Sequence, residues 1–399
     1  MLALAFNARA EETPGAVFDR VWDAARESIY PHTLVASHFT EATRERLAQA
    51  AAAAPSVDAL RPIINPFLDS LEVSHTRFYT AADLEYTFFR SLFSTRELDA
   101  PGVAHLGYQS GAQPERVREV LDGLPAAVAG VRRGDRLLDE RGEPIEQVVA
   151  CRRPEATSRA YRFIIERGSQ RLPVQMTCVE QNPNASMLTA MEASVRRLPL
   201  GERSVGYLHL WSGTHERILA RYLELVDSLA DTDALILDLR GGFGGAWYEY
   251  LDPFFPDRSE FYRFTVLDRE GSETFSADPV ATHGFYDKPM VVLINEGVRS
   301  GKEALAYQFK KSRALVLGST TAGFFSAGQG IFNEPDEPYF LYLSVAEFRL
   351  NDERIEGRGV TPSVTVPYPV DEAHHVTEDP QFKAAMEALE TVFKAALPG

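Results

Sequence analysis

Three continuous apolar runs in the second half of the chain place the strongest constraint on its fold. They are ALILDLR, MVVLI and RALVLG, at residues 234–240, 290–294 and 313–318. Apolar runs without alternation are typical of parallel strands that are buried on both faces. An amphipathic helical pattern covers 214–233, and another begins at Ser300, between the second and third runs. This order predicts an α/β domain whose parallel strands are joined by helical crossovers.

The length of 399 residues predicts two or three domains, and the sequence pattern changes twice along the chain. Residues 15–98 are predicted to form a helical module, in which Val17 and Val21 begin an apolar face at helical spacing. Residues 102–180 carry short strands and glycine turns, and residues 181–399 carry the strand–helix pattern. The predicted fold class is multidomain α/β, with a helical module, a β-rich domain and an α/β domain.

Residues 1–14 have two interpretations between which the sequence does not decide. They are either an ordinary disordered terminus or the remnant of a secretory signal, because Ala8-Arg9-Ala10 has the form of a cleavage site. The second interpretation slightly favours a periplasmic or other extracytoplasmic location over the cytoplasm. Cys151 and Cys178 are the only cysteines, which excludes a disulfide framework but leaves one disulfide open in an oxidising compartment.

Charge and hydropathy exclude several classes of partner. The formal net charge of −16 argues against nucleic acid or an anionic membrane surface. No apolar run approaches the ~20 residues that a membrane-spanning helix needs. His374 and His375 lack further ligands at metal spacing, so no metal site is predicted.

Ser300 lies at a predicted strand-to-helix turn, where several hydrolase folds hold a nucleophile. The same residue opens the segment Ser300-Gly301-Lys302-Glu303, which is also a capping box, and spacing alone favours the cap. A serine hydroxyl needs a neighbouring base to act as a nucleophile at neutral pH. No base is adjacent to this serine in the sequence.

The glycine-rich segment GGFGG, residues 241–245, follows the first apolar run. Such glycines either aim backbone N–H groups at a developing oxyanion or form a tight turn that needs positive φ. Trp247 stands where a dinucleotide-binding fingerprint has a glycine, which argues against a nicotinamide cofactor. The segment alone does not decide between the first two functions.

The β-rich region resembles a PDZ domain at two separate places. One is Leu106-Gly107-Tyr108, which matches the loop whose backbone N–H groups hold a peptide carboxylate. The other is a helix start followed by glycine turns, at Pro125, Ala126, Ala129, Gly130, Gly134, Asp135 and Gly142. The resemblance implies a binding site for a peptide C-terminus, and a β-rich domain without a ligand is the alternative.

Four motifs in this order resemble the family of carboxyl-terminal processing proteases and tricorn proteases. They are Leu-x-x-Ser-His at 71–75, the aspartate-to-glycine turn at 238–245, Asn-x-x-x-x-Ser at 295–300 and Glu-Gly-x-Gly-Val-x-Pro at 356–362. With the PDZ pattern, the resemblance covers nearly the whole chain from about residue 15. It implies a crotonase-like α/β catalytic domain that needs no cofactor and cleaves peptides or unfolded proteins, with recognition of their C-termini as one mode of binding.

The two branches of this family activate the serine differently. One branch uses a lysine further along the chain, in a Lys-Thr-x-Gly-Lys loop. Thr320 and Phe324 stand at the matching positions, and no lysine lies between Lys311 and Lys383. The resemblance therefore implies the tricorn branch, in which a histidine and a glutamate serve the serine.

The catalytic roles come from this resemblance. Ser300 is the implied nucleophile and His75 the implied general base. Glu356 is expected to orient and stabilise the imidazolium, and Ser74 is implied as an auxiliary polar partner. On their own, a lone histidine and a loop glutamate would be taken as structural or solvated residues.

Backbone N–H groups of Gly301 and of Gly244 or Gly245 are the expected oxyanion hole. Lys302 is predicted to point away from Ser300 around its helix. Replacing Lys302 by alanine is accordingly expected to leave most of the activity.

The alternative function is a non-catalytic peptide- or ligand-binding protein that keeps the fold, as the retinoid-binding relatives of the family do. Retention of the implied nucleophile, base and glutamate together favours the serine peptidase. The chain departs from the family pattern at Gly242, Ser363 and Arg299, the last of which stands where small residues are usual. These departures leave substrate preference open, and the oligomeric state is open as well.

Overall fold

The computed structural model describes residues 12–94, 98, 102–110, 116–280, 285–332, 337–370 and 378–395. The cleavage-site pattern at 8–10 and the pair His374–His375 lie outside these ranges. Within them, none of the helices combines the length and the hydropathy of a membrane span.

Helices and strands fall into three segments along the chain. The amino-terminal segment contains α1 (Pro14–Ser28), α2 (Thr33–His38), α3 (Glu41–Ala52), a 3₁₀ turn (Asp58–Leu60), α4 (Arg61–Asp69), β1 (Arg77–Thr80) and α5 (Leu84–Ser94). The middle segment contains β2 (Val103–His105), β3 (Tyr108–Ser110), β4 (Val117–Val120), α6 (Pro125–Val128), β5 (Arg136–Leu138), α7 (Gln147–Ala150), β6 (Tyr161–Arg167), β7 (Gln170–Met176) and β8 (Val179–Gln181).

The carboxyl-terminal segment is the longest of the three. It contains α8 (Pro183–Ser194), β9 (Arg196–Leu200), β10 (Arg203–His209), α9 (Glu216–Ser228), β11 (Ala234–Asp238), two 3₁₀ turns (Tyr248–Tyr250 and Asp252–Phe254), β12 (Phe264–Leu267), β13 (Ser272–Phe275), β14 (Met290–Ile294), α10 (Gly301–Ser312), β15 (Leu315–Gly318), β16 (Ser326–Ile331), β17 (Tyr339–Leu350), β18 (Glu353–Arg354), β19 (Val364–Thr365) and α11 (Pro380–Ala395).

The predicted parallel sheet lies in the carboxyl-terminal segment, with strand order β19–β15–β14–β11–β10–β9. Its strands are parallel except for β9, which is antiparallel to β10. Every residue of β11 and β14 is buried. Helix α11 covers one face of the sheet through Ala385 and Leu389, while α9 and α10 pack on the other. The α/β fold class predicted from the apolar runs is confirmed.

A second sheet is built on the long strand β17. Its order is β1–β17–β12–β13, and β16 and β18 also pair with β17. Strand β1 belongs to the amino-terminal segment and runs antiparallel to β17, with Phe78 opposite Leu341. Phe78 and Leu341 share one buried cluster with the apolar faces of α1, α3 and α4. The predicted helical module thus contributes a strand to this sheet, which its helical periodicity did not indicate.

Asn65 of α4 closes the outer edge of β1. Its Nδ2 donates to the Phe78 carbonyl oxygen at 3.0 Å, and the Phe78 N–H donates to its Oδ1 at 2.9 Å. Both residues are buried. Because an edge strand leaves a row of backbone groups unpaired, and burial makes such groups costly, this side chain fixes the strand that follows His75.

The middle segment has a core of its own. Strands β5, β6 and β7 form a sheet, and β2 pairs with β8 while β3 pairs with β4. Cys151 and Cys178 form a disulfide in this core, so the pairing that the sequence left open is made. The domain boundaries at 15–98, 102–180 and 181–399 stay predictions.

The Asn65–Phe78 pair leads to a prediction about stability. Asn65→Leu keeps the approximate volume of the side chain but leaves the N–H and C=O of Phe78 without their partners. We expect the free energy of unfolding to fall by roughly 2 kcal/mol or more, because each unpaired buried group costs about 1–3 kcal/mol. Denaturant titration measures this loss, and amide hydrogen exchange at Phe78 should become faster. The control is Gln49→Leu on the exposed face of α3. An equal effect of both substitutions would contradict the prediction.

Candidate active site

Ser300 lies between β14 and the first turn of α10, in a conformation that is unusual for a residue with a side chain. Its backbone has φ 53° and ψ −134°, a strained region that is found mainly at functional sites. The Ser300 N–H donates to the Phe324 carbonyl oxygen at 2.8 Å and to Glu303 Oε2 at 3.2 Å. The contact with Glu303 is that of a capping box. Capping and the strained turn therefore occur in the same residue.

The glycine loop, residues 241–245, lies directly against this serine. A methyl group added at Gly244 would overlap Cβ of Ser300, and one added at Gly301 would overlap the Ala246 carbonyl oxygen. Gly245 has φ +88°, which strains any residue with a side chain. Within the described ranges, no acceptor takes the N–H of Gly244 or Gly245. The absence of side chains thus allows the loop backbone to approach Ser300.

His75 is held through its Nδ1 atom by two serines. Ser74 Oγ lies 2.8 Å from Nδ1, and Ser326 Oγ lies 3.2 Å from it. Ser74 Oγ donates to Glu356 Oε2 at 2.8 Å, and the Ser74 N–H donates to Oε1 at 2.8 Å. The Phe325 N–H also donates to Oε2, at 2.6 Å.

These contacts differ from the expected arrangement in one respect. Among the described residues, no hydrogen bond joins Glu356 to His75, and Ser74 lies between them. The influence of the glutamate on the imidazole therefore passes through a hydroxyl group. Ser74, which the sequence implied only as an auxiliary partner, is the residue that touches both.

The same contacts define which nitrogen of His75 carries the proton. An ionised carboxylate can only accept hydrogen bonds, so the single hydroxyl hydrogen of Ser74 is committed to Glu356. Nδ1 is then the donor to Ser74 Oγ, which leaves Nε2 with its lone pair. Nε2 is therefore the atom that can accept a proton.

Burial and charge keep this imidazole neutral. Burial, with a further contribution from the positive charge of Arg299, lowers the pKa of His75 to about 3, against an ordinary value of ~6.5. A neutral imidazole is the form that acts as a general base. His75 is thus in its basic form across the neutral pH range.

Ser300, His75, Ser74 and Glu356 all line one cavity of about 700 Å³. Part of its wall is aromatic and consists of Tyr79, Phe88, Phe89, Phe243, Trp247, Tyr342 and Phe348. Concave sites with mainly apolar walls and a few convergent polar groups are typical of ligand-binding and catalytic sites. The structure therefore brings the predicted serine, histidine and glutamate to one place.

Lys302 points beneath the glycine loop and not into the cavity. It is fully buried, and its ammonium donates to four carbonyl oxygens, those of Leu210, Trp211, Leu239 and Gly241. Burial lowers its pKa to about 7, and Arg299 contributes to that effect. Alanine at this position would leave four buried acceptors without their donor. The expectation that Lys302→Ala leaves most of the activity therefore no longer follows.

Three residues that position the site were not assigned from the sequence. Asn295 Oδ1 accepts the N–H groups of Gly241 and Gly297, at 3.1 and 2.9 Å, and so joins two loops. Glu303 Oε1 accepts the Thr321 hydroxyl at 2.5 Å and the N–H of residue 323 at 2.8 Å. The capping-box pattern was a signal for Glu303. Ser326 contacts a histidine 251 residues away, and no local pattern indicates it.

The predicted carboxylate loop, Leu106-Gly107-Tyr108, is engaged by a side chain of the protein itself. The N–H groups of Leu106 and Tyr108 donate to Gln147 Oε1 at 3.2 and 3.4 Å, and Gln147 Nε2 donates to the Tyr108 carbonyl oxygen. The neighbouring residue, Gln109, reaches the glycine loop, because its Oε1 accepts the Gly242 N–H at 2.8 Å. Strand β3 thus connects this loop to the active site.

Another buried histidine has a partner within the fold. His209 is buried in β10, and its Nε2 lies 2.8 Å from the Arg240 carbonyl oxygen. In the part of the chain that the structure describes, no group of three or more His, Cys, Asp or Glu side chains is arranged to hold a metal ion.

Residues 204–366 match the sequence profile of peptidase family S41. This range includes Ser300 and Glu356, which line the cavity. This similarity, together with the processing proteases reported below, indicates a serine-type peptidase. The matched range contains the strands of both large sheets, except for β1, β9 and part of β10. His75 comes from outside the matched range.

Similarity beyond the matched range is found with processing proteases. It is 27% identical over 305 residues to the carboxyl-terminal-processing protease of Synechocystis sp., covering 71% of this chain and 68% of that protein. It is 26% identical over 266 residues to the chloroplastic carboxyl-terminal-processing peptidase 3 of Arabidopsis thaliana, covering 62% of this chain and 50% of that protein.

Solved structures support the fold. The photosystem II D1 C-terminal processing protease aligns with a TM-score of 0.53 at 19% identity, over 95% of this chain and 97% of that one. The tricorn protease aligns with a TM-score of 0.53 at 16% identity, over 96% of this chain and 37% of that one. The chain therefore has the multidomain α/β architecture of these proteases.

The environment of His75 leads to a prediction about pH. kcat/KM should rise with pH through the pKa of the base in the free enzyme, and we expect this limb below the ordinary histidine value of ~6.5. Arg299→Met removes a positive charge that lowers the pKa of His75, so the limb should move to higher pH. The rate of labelling by a fluorophosphonate, measured across the acidic and neutral range, reports this shift. Arg221→Met, on the exposed surface of α9, is the control. A limb at or above ~6.5 in the wild type would refute the expectation.

Proposed function

We propose that the protein is a serine peptidase in which Ser300 is activated by His75 and Glu356 and not by a lysine, as in the tricorn branch. Its substrates are peptides or unfolded proteins. The observation that carries the proposal is the chain of hydrogen bonds from His75 through Ser74 to Glu356, beside a cavity that Ser300 also lines. This arrangement supplies a base, a group that fixes its tautomer and a buried negative charge.

In the proposed reaction, Nε2 of His75 takes the proton of Ser300 Oγ while Oγ attacks the substrate carbonyl carbon. The imidazolium then gives this proton to the leaving amine, and a water molecule repeats the sequence on the acyl-enzyme. The Nδ1–H of His75 stays on Ser74 Oγ throughout. The negative charge of Glu356 stabilises the imidazolium through the intervening hydroxyl group.

The oxyanion would be held by the backbone. The N–H groups of Gly301 and of Gly244 or Gly245 are the proposed donors, since this backbone lies against Ser300. The amino terminus of α10 adds its partial positive charge at the same point. The charge that develops on the substrate would thus be stabilised by backbone N–H groups.

The described lysines offer no competing base. The ammonium of Lys302 is committed to four carbonyl oxygens and lies outside the cavity lining. Thr320 and Phe324 stand where the other branch carries its lysines. No lysine is among the described residues that line the cavity. These observations favour the histidine branch.

We further propose that residues 15–98 form a module that carries the base, 102–180 a PDZ domain, and 181–399 the catalytic domain. The PDZ domain would hold substrate C-termini at Leu106-Gly107-Tyr108. In support, Gly107 has φ 84°, and the neighbouring N–H groups already bind an oxygen, that of Gln147. A peptide carboxylate would replace this oxygen, so binding requires the glutamine side chain to move.

The catalytic assignment predicts a graded series of variants. Ser300→Ala and His75→Ala should each lower kcat/KM by on the order of 10⁴-fold, while Glu356→Gln should be severe but milder, because the imidazole can act without the charge. Hydrolysis of an unstructured peptide measures the series, and a fluorophosphonate should label the wild type but not Ser300→Ala.

The chain offers a matched control for this series. Ser37 and His38 form an exposed serine–histidine pair with the same 2.8 Å contact from Oγ to Nδ1. Ser37→Ala and His38→Ala should leave kcat/KM within a few-fold of the wild type. Absence of label from the wild-type protein would favour the non-catalytic binding protein. Substantial activity in His75→Ala would show that another group is the base.

The PDZ proposal predicts an effect on KM. Amidation of the C-terminus of a good peptide substrate should raise KM with kcat nearly unchanged, because the terminal carboxylate contributes binding and not chemistry. Gln147→Ala frees the N–H groups of Leu106 and Tyr108, so the ratio of KM for amide to KM for free acid should increase. Steady-state kinetics on the peptide pair measure this ratio, and the thermal midpoint checks that the variant is folded. A ratio of one in both proteins would contradict the proposal.

A further inference from the structure

Arg299, the residue before the nucleophile, lines the same cavity as Ser300 and His75. Its guanidinium lies over two aromatic rings, with its central carbon 5.6 Å from the centroid of Phe243 and 5.9 Å from that of Phe324. The side chain is half-buried. A cationic group therefore stands against the apolar wall of the proposed peptidase site.

One nitrogen of this guanidinium has no partner within the described part of the chain. Arg299 Nε is shielded from solvent and has no hydrogen-bond partner, and no ion pair joins the side chain to a carboxylate in the described ranges. Burial, reinforced by the charge of Arg118, lowers the pKa of Arg299 to about 10. Most buried polar groups in proteins are hydrogen-bonded, so the shielded and unpartnered Nε of Arg299 needs an explanation.

Arg118, on β4, shows the same feature. Its Nε is also shielded and without a partner, and its charge acts against that of Arg299. Glu85 is the carboxylate whose charge favours the protonated form of Arg299 most, yet burial raises the pKa of Glu85 itself. Glu303 also favours the protonated form of Arg299, with a smaller effect than Glu85.

Arginine is suited to one class of ligand in such a place. Its planar fork binds a carboxylate with two parallel hydrogen bonds, and an apolar surrounding strengthens them. A carboxylate on the substrate would complete the missing hydrogen bonds of Arg299 and offset the repulsion from Arg118. Contacts with Phe243 and Phe324 hold the guanidinium in place but leave its hydrogen-bonding capacity unused.

We propose that Arg299, supported by the charge of Arg118, binds a carboxylate group of the substrate beside the scissile bond and makes the enzyme selective for it. The carboxylate is either the side chain of an aspartate or glutamate or the terminal carboxylate of a short tail. This inference rests on the proposed peptidase function and names a specificity-determining residue within it.

Binding to the inactive variant Ser300→Ala tests the inference independently of turnover. The probes are short unstructured peptide amides of alanine, leucine, valine and glutamine, in which one glutamate occupies each position in turn. Each is paired with the peptide that has glutamine there. We expect the glutamate peptide to bind about ten-fold tighter or more at one position, since charge-assisted bidentate bonds are strong. Ratios near one for every glutamate pair and for a free-acid and amide pair would overturn the inference.

Substitution of the arginine decides whether Arg299 causes the preference. Arg299→Met in the Ser300→Ala background should bring the ratio to about one, and Arg221→Met should leave it unchanged. Arg299→Lys keeps the charge without the planar fork and should give an intermediate ratio. A ratio that survives both substitutions of Arg299 would overturn the inference. If Arg299→Met does not fold, Arg299→Lys alone decides. A glutamate-to-glutamine ratio in Arg299→Lys equal to that of the Ser300→Ala parent would overturn the inference.

The peptide set also identifies the source of the carboxylate. A preference for internal glutamate that Arg299→Met removes assigns an acidic side chain. A preference for free acid over amide that Arg299→Met removes assigns the terminal carboxylate. A third outcome is that Arg299→Met still binds the free acid more tightly than the amide, and that no internal glutamate is preferred. The carboxylate then binds elsewhere, and the inference is overturned. If the wild-type protein neither cleaves peptides nor reacts with the fluorophosphonate, the proposed function is refuted. The binding ratios can still be measured in that case, so the two failures are distinguishable.

Discussion

The buried carboxylate of Glu356 is the interaction on which the arrangement of this protein depends most. It accepts hydrogen bonds from Ser74, which precedes β1, and from Phe325, which precedes β16. A buried carboxylate needs such donors, because an unpaired charge in the interior is strongly unfavourable. The glutamate therefore joins the amino-terminal segment to the loop that follows β15. This connection positions His75, which follows Ser74 in the sequence. Asn65 holds β1, the strand that comes after His75.

The hydrogen bonds beneath the glycine loop are a second support of the region around Ser300. Lys302 holds the carbonyl oxygens of Leu239 and Gly241 at the end of β11 and the start of the glycine loop. The amino terminus of α10 points to the same region. In the proposed mechanism, the carboxylate of Glu356 favours an imidazolium, and the amino terminus of α10 favours an oxyanion. Thr320 and Phe324 stand where the other branch carries its lysines, and Lys302 contacts backbone carbonyl oxygens beneath the glycine loop.

Sequence patterns were sufficient to predict many of the helices and strands but not the contacts between them. Apolar runs predicted β11 and β14 because a strand buried on both faces has no polar alternation. Helical spacing described α1 but gave no sign that the four-residue strand β1 would pair with β17, since that contact spans most of the chain. Resemblance, and not local pattern, supplied His75 and Glu356. Ser326 and Asn65 act through partners that only the folded chain brings near, and the burial of Lys302 could not be read from a capping-box segment that is usually exposed.

Arg299 links substrate selection to the strength of the proposed base. Its charge lowers the pKa of His75 in the free protein, so an unoccupied site holds a weak base beside the nucleophile. A carboxylate bound to Arg299 would cancel part of that charge, and the pKa of His75 would rise because a nearby positive charge disfavours the imidazolium. A substrate with the matching carboxylate would then increase the basicity of the group that activates Ser300, whereas a neutral substrate would not. Selectivity would be expressed in the chemical step as well as in binding, because the same electrostatic interaction contributes to both.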